Sequence, residues 1–254
     1  MAAKPGERKL QILQSIAELL QDPKGEKITT ALLAKKLHVS EAALYRHFAS
    51  KAQMYEGLID FIENSLFSVI NRIGAEEQSG VKQAELIVAL LLGFAQKNRG
   101  LTRVLIGDAL VHEDDRLQAR INQLLDRVEA ALKQALRIAA TSNELPQGED
   151  AAAAANLCLC YVIGRWQLFV KSGFTREPMV QWPQQWPMLY FACHHLRTMS
   201  GVMITGSHNP ADHNGFKVMI GGAPITADFC ARIGADFTSH NPHEAVEYLN
   251  RNVA

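Results

Sequence analysis

The chain has 254 residues, 48% of them apolar, with 26 basic and 26 acidic side chains. That length suits one large domain or two small ones, with enough apolar material for a real core. The balanced charge excludes a polybasic protein that coats nucleic acid over its whole surface. Locally, Lys4, Arg8, Lys9, Lys24, Lys27, Lys35, Lys36, Arg46 and Lys51 give the first fifty-one residues a basic excess, so an anionic partner is expected to dock at that end.

From Glu7 to Leu20 the apolar residues Leu10, Leu13, Ile16, Ala17 and Leu20 recur at the spacing of an amphipathic helix. Pro23 and Gly25 break it. "ITTALLAKKL" starts a short second helix with Thr29 or Thr30 as N-cap, and "HVS" is a tight turn. Ser40 caps a third helix, expected from Glu41 to Phe48. Ser50 caps a long fourth helix to about Ile73. After the loop "GAEEQSG" come a helix from Val81 to Asn98 and further helix from Leu101 to about Ala140, broken near "VHEDD". "TSNELPQGED" is a linker. Two more helices are expected, Ala151 to about Lys171 and Trp182 to about Thr198. The fold class is therefore all-α.

"LIVALLLGFA" (Leu86–Ala95) is apolar all round and reads as a buried central helix. No stretch is expected to reach the roughly 18 uncharged apolar residues of a membrane span, and no signal pattern opens the chain. Cys158, Cys160, Cys193 and Cys230 form no C-x-x-C pair and read as reduced, buried thiols of a cytoplasmic protein.

Past Ser200 the texture changes. Glycines cluster, and β-branched alternation appears in "GVMIT" and "FKVMI". The expected organisation is a small three-helix domain over residues 1–51, a larger helical domain over 52–200, and a short irregular, β-like tail over 201–254.

Three short helices with a tight turn before the third have the layout of a helix-turn-helix. A helix that enters the major groove must bring its first turn close to base edges, and bulky side chains there would hold it away. Ser40, Ala42 and Ala43 permit that approach and can pack on thymine methyl groups. Tyr45 and Arg46 then reach phosphates or a guanine edge, and His47 adds a phosphate contact. Thr29 and Thr30 can clamp a phosphate at the start of the second helix, where hydroxyl, backbone N–H and helix dipole converge; Ser50 and Lys51 repeat the device at the fourth. Leu33, Leu37, Val39, Leu44 and Phe48 would fill the small core.

"ITTALLAKKLHVSEAALYRHFASKAQMYEGLIDFI" resembles the DNA-binding domain of TetR-family regulators, whose hallmark is an L-Y-x-H-F-x-x-K segment ahead of a long linking helix. With "LIVALLLGFAQKNRGLTRVLIGDAL" and "DRLQARINQLLDRVEA", the resemblance extends over about residues 7–198 to the nucleoid-occlusion branch of that family. It implies a cytoplasmic, nucleoid-associated homodimer that binds palindromic double-stranded DNA and, when bound, opposes assembly of the division protein FtsZ. By position it assigns DNA contact to Thr29, Thr30, Ser40, Ala42, Ala43, Tyr45, Arg46, His47 and Lys51. It assigns a groove for the FtsZ C-terminal tail to Phe61, Leu90, Gly93, Lys97 and Asn98, between the fourth and fifth helices. Two positions depart from the family pattern: Lys97 stands where an arginine is expected, and Val69 where a basic residue is expected. Dimerisation is expected through the last two helices, using Leu157, Tyr161, Trp166, Phe169, Trp186, Leu189 and Phe191. A ligand-responsive repressor of the same fold is the alternative. It requires a cavity with inward polar side chains, whereas the fifth helix offers Leu, Val, Ala and Gly.

"GVMITGSHNPADHNGFKVMIGG" resembles the active-site serine loop of phosphohexomutases, in which Ser207 would carry phosphate. The metal-holding D-x-D-x-[DR] loop is missing, as is the scaffold that would orient a transferred phosphoryl group. No catalysis and no cofactor are expected, and the tail reads as a fused or read-through fragment. His194, His195, His208, His213, His240 and His243 lack zinc spacing, so no metal is expected either.

Overall fold

The computed structural model describes residues 7–22, 28–111, 113–145 and 150–194, with the short stretches 202–203 and 217–218. The chain divides into two compact units, Met1–Cys193 and His194–Ala254. In the second unit Val202–Met203 and Lys217–Val218 pair antiparallel, Val202 opposite Val218. These two strands fall within the "GVMIT" and "FKVMI" strings. Ser207 and the histidines from 195 onward lie outside the described residues.

The first unit is helical: α1 (Glu7–Leu19), α2 (Thr30–Leu37), α3 (Glu41–Tyr45), α4 (Lys51–Glu76), α5 (Gly80–Lys97), α6 (Arg99–Leu105), α7 (Asp115–Thr141), α8 (Ala151–Lys171) and α9 (Trp182–His194), with a 3-10 turn at Asp108–Leu110. α1, α2 and α3 close on a small core of Ile12, Ile16, Leu33, Leu44 and Phe48. Leu37 and Val39 pack against it partly exposed. α4 carries the chain into the larger layer, where α7 packs on α4, α5 and α8.

The caps explain where the short helices start. Thr29 Oγ1 accepts from Leu32 N–H, Ser40 Oγ from Ala43 N–H, and Ser50 Oγ from Gln53 N–H. In return Gln53 Oε1 accepts from Ala49 N–H at 2.8 Å, a reciprocal arrangement close to a capping box. α3 ends at Tyr45, three residues short of its expected end at Phe48. The chain tightens there: His47 and Phe48 N–H groups both donate to Leu44 C=O. Phe48 thereby turns into the core and Ser50 gains the extended backbone it needs as the α4 cap.

Three further expectations are corrected. α5 is buried along one stripe, Ile87, Val88, Leu91, Leu92 and Ala95, while Leu86, Ala89, Leu90, Gly93 and Phe94 remain partly exposed. α8 is long and apolar enough by length and composition to cross a membrane, although Arg165 interrupts its uncharged run well short of 18 residues. Its apolar content covers two faces: Cys158, Val162, Trp166 and Phe169 are buried within the chain, while Leu157 and Leu168 are 43% and 44% exposed. Trp166 and Phe169, expected at a dimer interface, are fully buried in the chain's own core, and Trp166 Nε1 donates to Leu91 C=O at 3.1 Å. Among the thiols, Cys158 is buried but Cys160 is exposed.

Glu144 anchors the start of α5 from the far end of α7. Its carboxylate accepts from Ser79 Oγ (2.6 Å), Gly80 N–H (3.2 Å) and Val81 N–H (3.1 Å). Desolvation works against the charged form, but these donors outweigh it and hold the carboxyl below the usual carboxylate range.

Candidate nucleic-acid interface

α2 and α3 are set against each other by a left-handed residue. His38 sits at φ 54°, ψ 44°, where glycine or asparagine is usual. Its N–H and that of Val39 return to Lys35 and Ala34 carbonyls, which closes α2 and swings the chain to Ser40. Thr30 Oγ1 donates to Glu41 Oε2 at 2.5 Å, a second tie between the two helices. Neither tie was apparent from the sequence, because both depend on how the turn folds back.

α3 thus presents Ser40, Ala42, Tyr45 and Arg46 exposed, with Ala43 and His47 half-buried, while Leu44 anchors it beneath. Ser40, Ala42 and Ala43 occupy the first turn. The surface they make is low, and the larger side chains follow it, so the helix can approach a groove floor with its N-terminal end. Tyr45 is 45% exposed. The side chains of Lys35, Arg46 and His47 have no hydrogen-bond or ion-pair partner among the described residues, which leaves them available to an anion. Lys36 is paired with Glu18 at 2.9 Å, and Lys9 lies 5.5 Å over the Phe48 ring.

Thr29 and Ser40 accept backbone bonds yet keep a hydroxyl hydrogen to donate. Thr30 spends its hydrogen on Glu41. Lys51 turns away from the expected phosphate position: its ammonium pairs with Glu113 and lies 5.6 Å over the Tyr55 ring. Burial, reinforced by the charge of Glu113, pushes the Tyr55 hydroxyl well above its ordinary value, with Arg103 opposing. The α4 start still offers the Ser50 hydroxyl and its backbone N–H groups.

The joint between this domain and the regulatory helices is tight. Gly100 in α6 rests on the Ala17 carbonyl of α1, and any Cβ there would collide with it. Arg103 donates to Asp22 C=O at 3.0 Å and pairs with Asp108.

The second set of residues lies on α4 and α5, which pack directly against each other. Phe61 is 45% exposed on α4. Leu90, Gly93 and Lys97 fall three and four apart on α5 and so share one face. Leu90 and Gly93 are half-buried, and Lys97 is exposed at the helix end. Nothing lies within 4 Å of a Cβ built on Gly93, so no contact within the chain requires glycine there. Asn98 forms the corner between α5 and α6, its side-chain amide donating to Phe94 C=O at 2.8 Å.

Comparison with known proteins matches three segments of the chain. Residues 12–58 match the family described as bacterial regulatory proteins, tetR family, and residues 78–194 match the SlmA-like tetracyclin repressor-like C-terminal domain. Residues 174–247 match domain I, alpha/beta/alpha, of phosphoglucomutase/phosphomannomutase. The nucleoid occlusion factor SlmA of Alteromonas mediterranea is 51% identical over 185 residues, 73% of this chain and 95% of that protein. Its namesakes in Marinomonas sp. and Idiomarina loihiensis are 48% and 46% identical, each over 74% of this chain and 96% of theirs. Among solved structures, a TetR transcription regulator from Haloarcula marismortui superimposes with a TM-score of 0.63 at 17% identity, covering 75% of this chain and all of that one. The regulator FadR from Bacillus subtilis, in complex with stearoyl-CoA, gives 0.58 at 17% identity, covering 71% of this chain and 96% of its own. These two likenesses establish the fold.

Proposed function

The chain belongs to the family of SlmA nucleoid occlusion factors, dimeric DNA-binding regulators on the TetR fold, and from that membership we propose that it binds palindromic chromosomal sites and, while bound, inhibits assembly of the FtsZ ring over the nucleoid. The observation that carries the reading is identity of 46–51% over 95–96% of the relatives' length, on a fold whose helix-turn-helix exposes Ser40, Ala42, Tyr45 and Arg46.

In this reading Ser40, Ala42 and Ala43 meet base edges, Tyr45, Arg46 and His47 meet phosphates or a guanine edge, and Thr29, Thr30 and the Ser50–Lys51 helix start clamp the backbone. Lys51 reaches DNA only by leaving Glu113, and the Thr30 hydroxyl donates to a phosphate only by leaving Glu41. Two copies pair through α8 and α9, and Leu157, Tyr161, Gly164 and Leu168 form the α8 face, at i, i+4, i+7 and i+11. Pairing sets the two α3 helices one DNA turn apart, roughly 34 Å.

The FtsZ C-terminal tail occupies the α4–α5 surface of Phe61, Leu90, Gly93, Lys97 and Asn98. Gly93 leaves a notch in an apolar helix face, and Lys97 offers a cation to an acidic tail. The protein acts in the cytoplasm at the nucleoid, as a regulator without catalytic activity. The burial pattern supports a filled regulatory core rather than a ligand cavity: among the described residues beyond α4 the buried polar side chains are Gln83 and Thr102, both bonded to backbone carbonyls.

The test is binding of a fluorescently labelled FtsZ C-terminal peptide with and without palindromic duplex. The proposal expects binding that strengthens on DNA. Absence of binding in both states sinks it and favours the ligand-responsive repressor.

A further inference from the structure

Between α1 and α3 lies a cavity of about 200 Å³ whose floor is Ile12, Leu37 and Leu44 and whose polar walls are Arg8, Arg46 and His47. Its lining contains no carboxylate. Arg46 and His47 have no side-chain partner among the described residues, and Arg8 spends one N–H on Gln11 Oε1 at 3.0 Å. Two guanidinium groups around one void repel each other, and nothing in the lining neutralises them. Arg8 also stands in the first turn of α1, where a cation opposes the helix dipole. The Arg8–Gln11 bond is local and exposed, and Arg46 and His47 make none, so these side chains remain available to an anion that fills the space.

We propose that this cavity is a phosphate-group site in which Arg8, Arg46 and His47 together grip one phosphate, with Arg8 as an unassigned member. The inference rests on the DNA-binding reading and sharpens it: Arg46 holds the backbone instead of reading a guanine. A guanidinium fork matches phosphate oxygens bidentately, and a concave wall suits a tetrahedral group better than the flat edge of a base pair. The phosphate comes from the duplex backbone or from a free phosphorylated molecule that competes with it.

The experiment uses the full chain and the variants Arg8→Gln and Arg46→Gln, both at exposed or half-exposed positions, with helicity checked by circular dichroism. Affinity for a palindromic and a scrambled duplex is measured across a salt series, and thermal shift with inorganic pyrophosphate is measured without DNA. Each variant is expected to weaken both duplexes alike, by about threefold to tenfold, and to lower the salt slope by about one. Unchanged DNA binding with loss of the pyrophosphate shift assigns the same site to a free phosphate. Wild-type behaviour in both arms, or a loss confined to one base pair, overturns the proposal. Failure of the wild-type chain to prefer the palindrome is a failure of the earlier reading, and the pyrophosphate arm then still decides this one.

Discussion

Lys51, the first residue of α4, pairs its ammonium with Glu113, which sits 62 residues later in the chain just ahead of α7. The contact is partly sheltered, with the two side chains 22% and 10% exposed. It sets two demands against each other, since the helix start at Lys51 is also where a DNA phosphate is expected to dock.

Glu113→Gln therefore trades stability for DNA affinity. Removing the carboxylate frees Lys51 for phosphate and removes a negative charge near the α4 start. Affinity for any duplex rises about twofold to tenfold at low salt, and the melting temperature falls by a few degrees, consistent with about 1 kcal/mol. Fluorescence anisotropy and thermal unfolding of the same sample read both effects. Weaker DNA binding in this variant contradicts the competition.

Ala42→Leu addresses the low face of α3. Ala42 is exposed and buries nothing, so the fold keeps its stability within about 0.5 kcal/mol. The added bulk lifts the helix from the base edges. Preference for a palindrome over a scrambled duplex falls at least tenfold while phosphate-driven binding persists. A competition gel shift measures the ratio.

Gly93→Ala separates packing from recognition. A methyl group there meets nothing in the chain, and alanine favours the helix by about 1 kcal/mol, so thermal stability rises. Binding of the FtsZ C-terminal peptide weakens if the notch receives it. Tighter peptide binding, or a loss of stability, goes against this assignment.

On α8, Trp166→Ala and Leu168→Glu part company. Trp166 is fully buried, and its loss costs about 3–5 kcal/mol of stability. Leu168 is exposed in the monomer, and a charge there breaks the dimer while each chain stays helical. Sedimentation velocity with circular dichroism distinguishes the two.

Asp114 gives a pH signature. It caps α7 through Arg116 N–H, and the Arg116 side chain lowers its carboxyl from 3.8 to about 2. A carboxyl depressed in the folded state stabilises above its unfolded value, and that stability is lost as pH falls through the folded one. Asp114→Asn keeps a capping oxygen but no charge. The wild type should melt higher than this variant at neutral pH, keep the margin down to about pH 4, and lose it by about pH 2.

The helix starts were legible because capping is local. Thr29, Ser40 and Ser50 each bond to an N–H three residues on, and that spacing is visible in the sequence. The end of α3 was less legible: the Leu44 carbonyl gathers two N–H groups so that Phe48 can turn inward, a choice made by the core. Apolar periodicity marked α8 without telling which residues face the chain's own α5 and α7. Trp166 and Phe169 went inward, while Leu157 and Leu168 stayed out. The pairing of Lys51 with Glu113 and the seat of Gly100 on Ala17 join distant segments and carry no local signal. At the recognition surface, the exposed Ser40, Ala42, Tyr45 and Arg46 lie where the sequence put them, because the turn at His38 and the anchor at Leu44 fix the helix between them.

The most direct measurement is selection of bound duplexes from a random-sequence pool by the purified full chain, with the stoichiometry of the selected complex. The account predicts an enriched inverted repeat whose half-sites lie about one helical turn apart, roughly 34 Å, bound by paired chains. A monomer in solution, or a pool that stays random after repeated rounds, contradicts it.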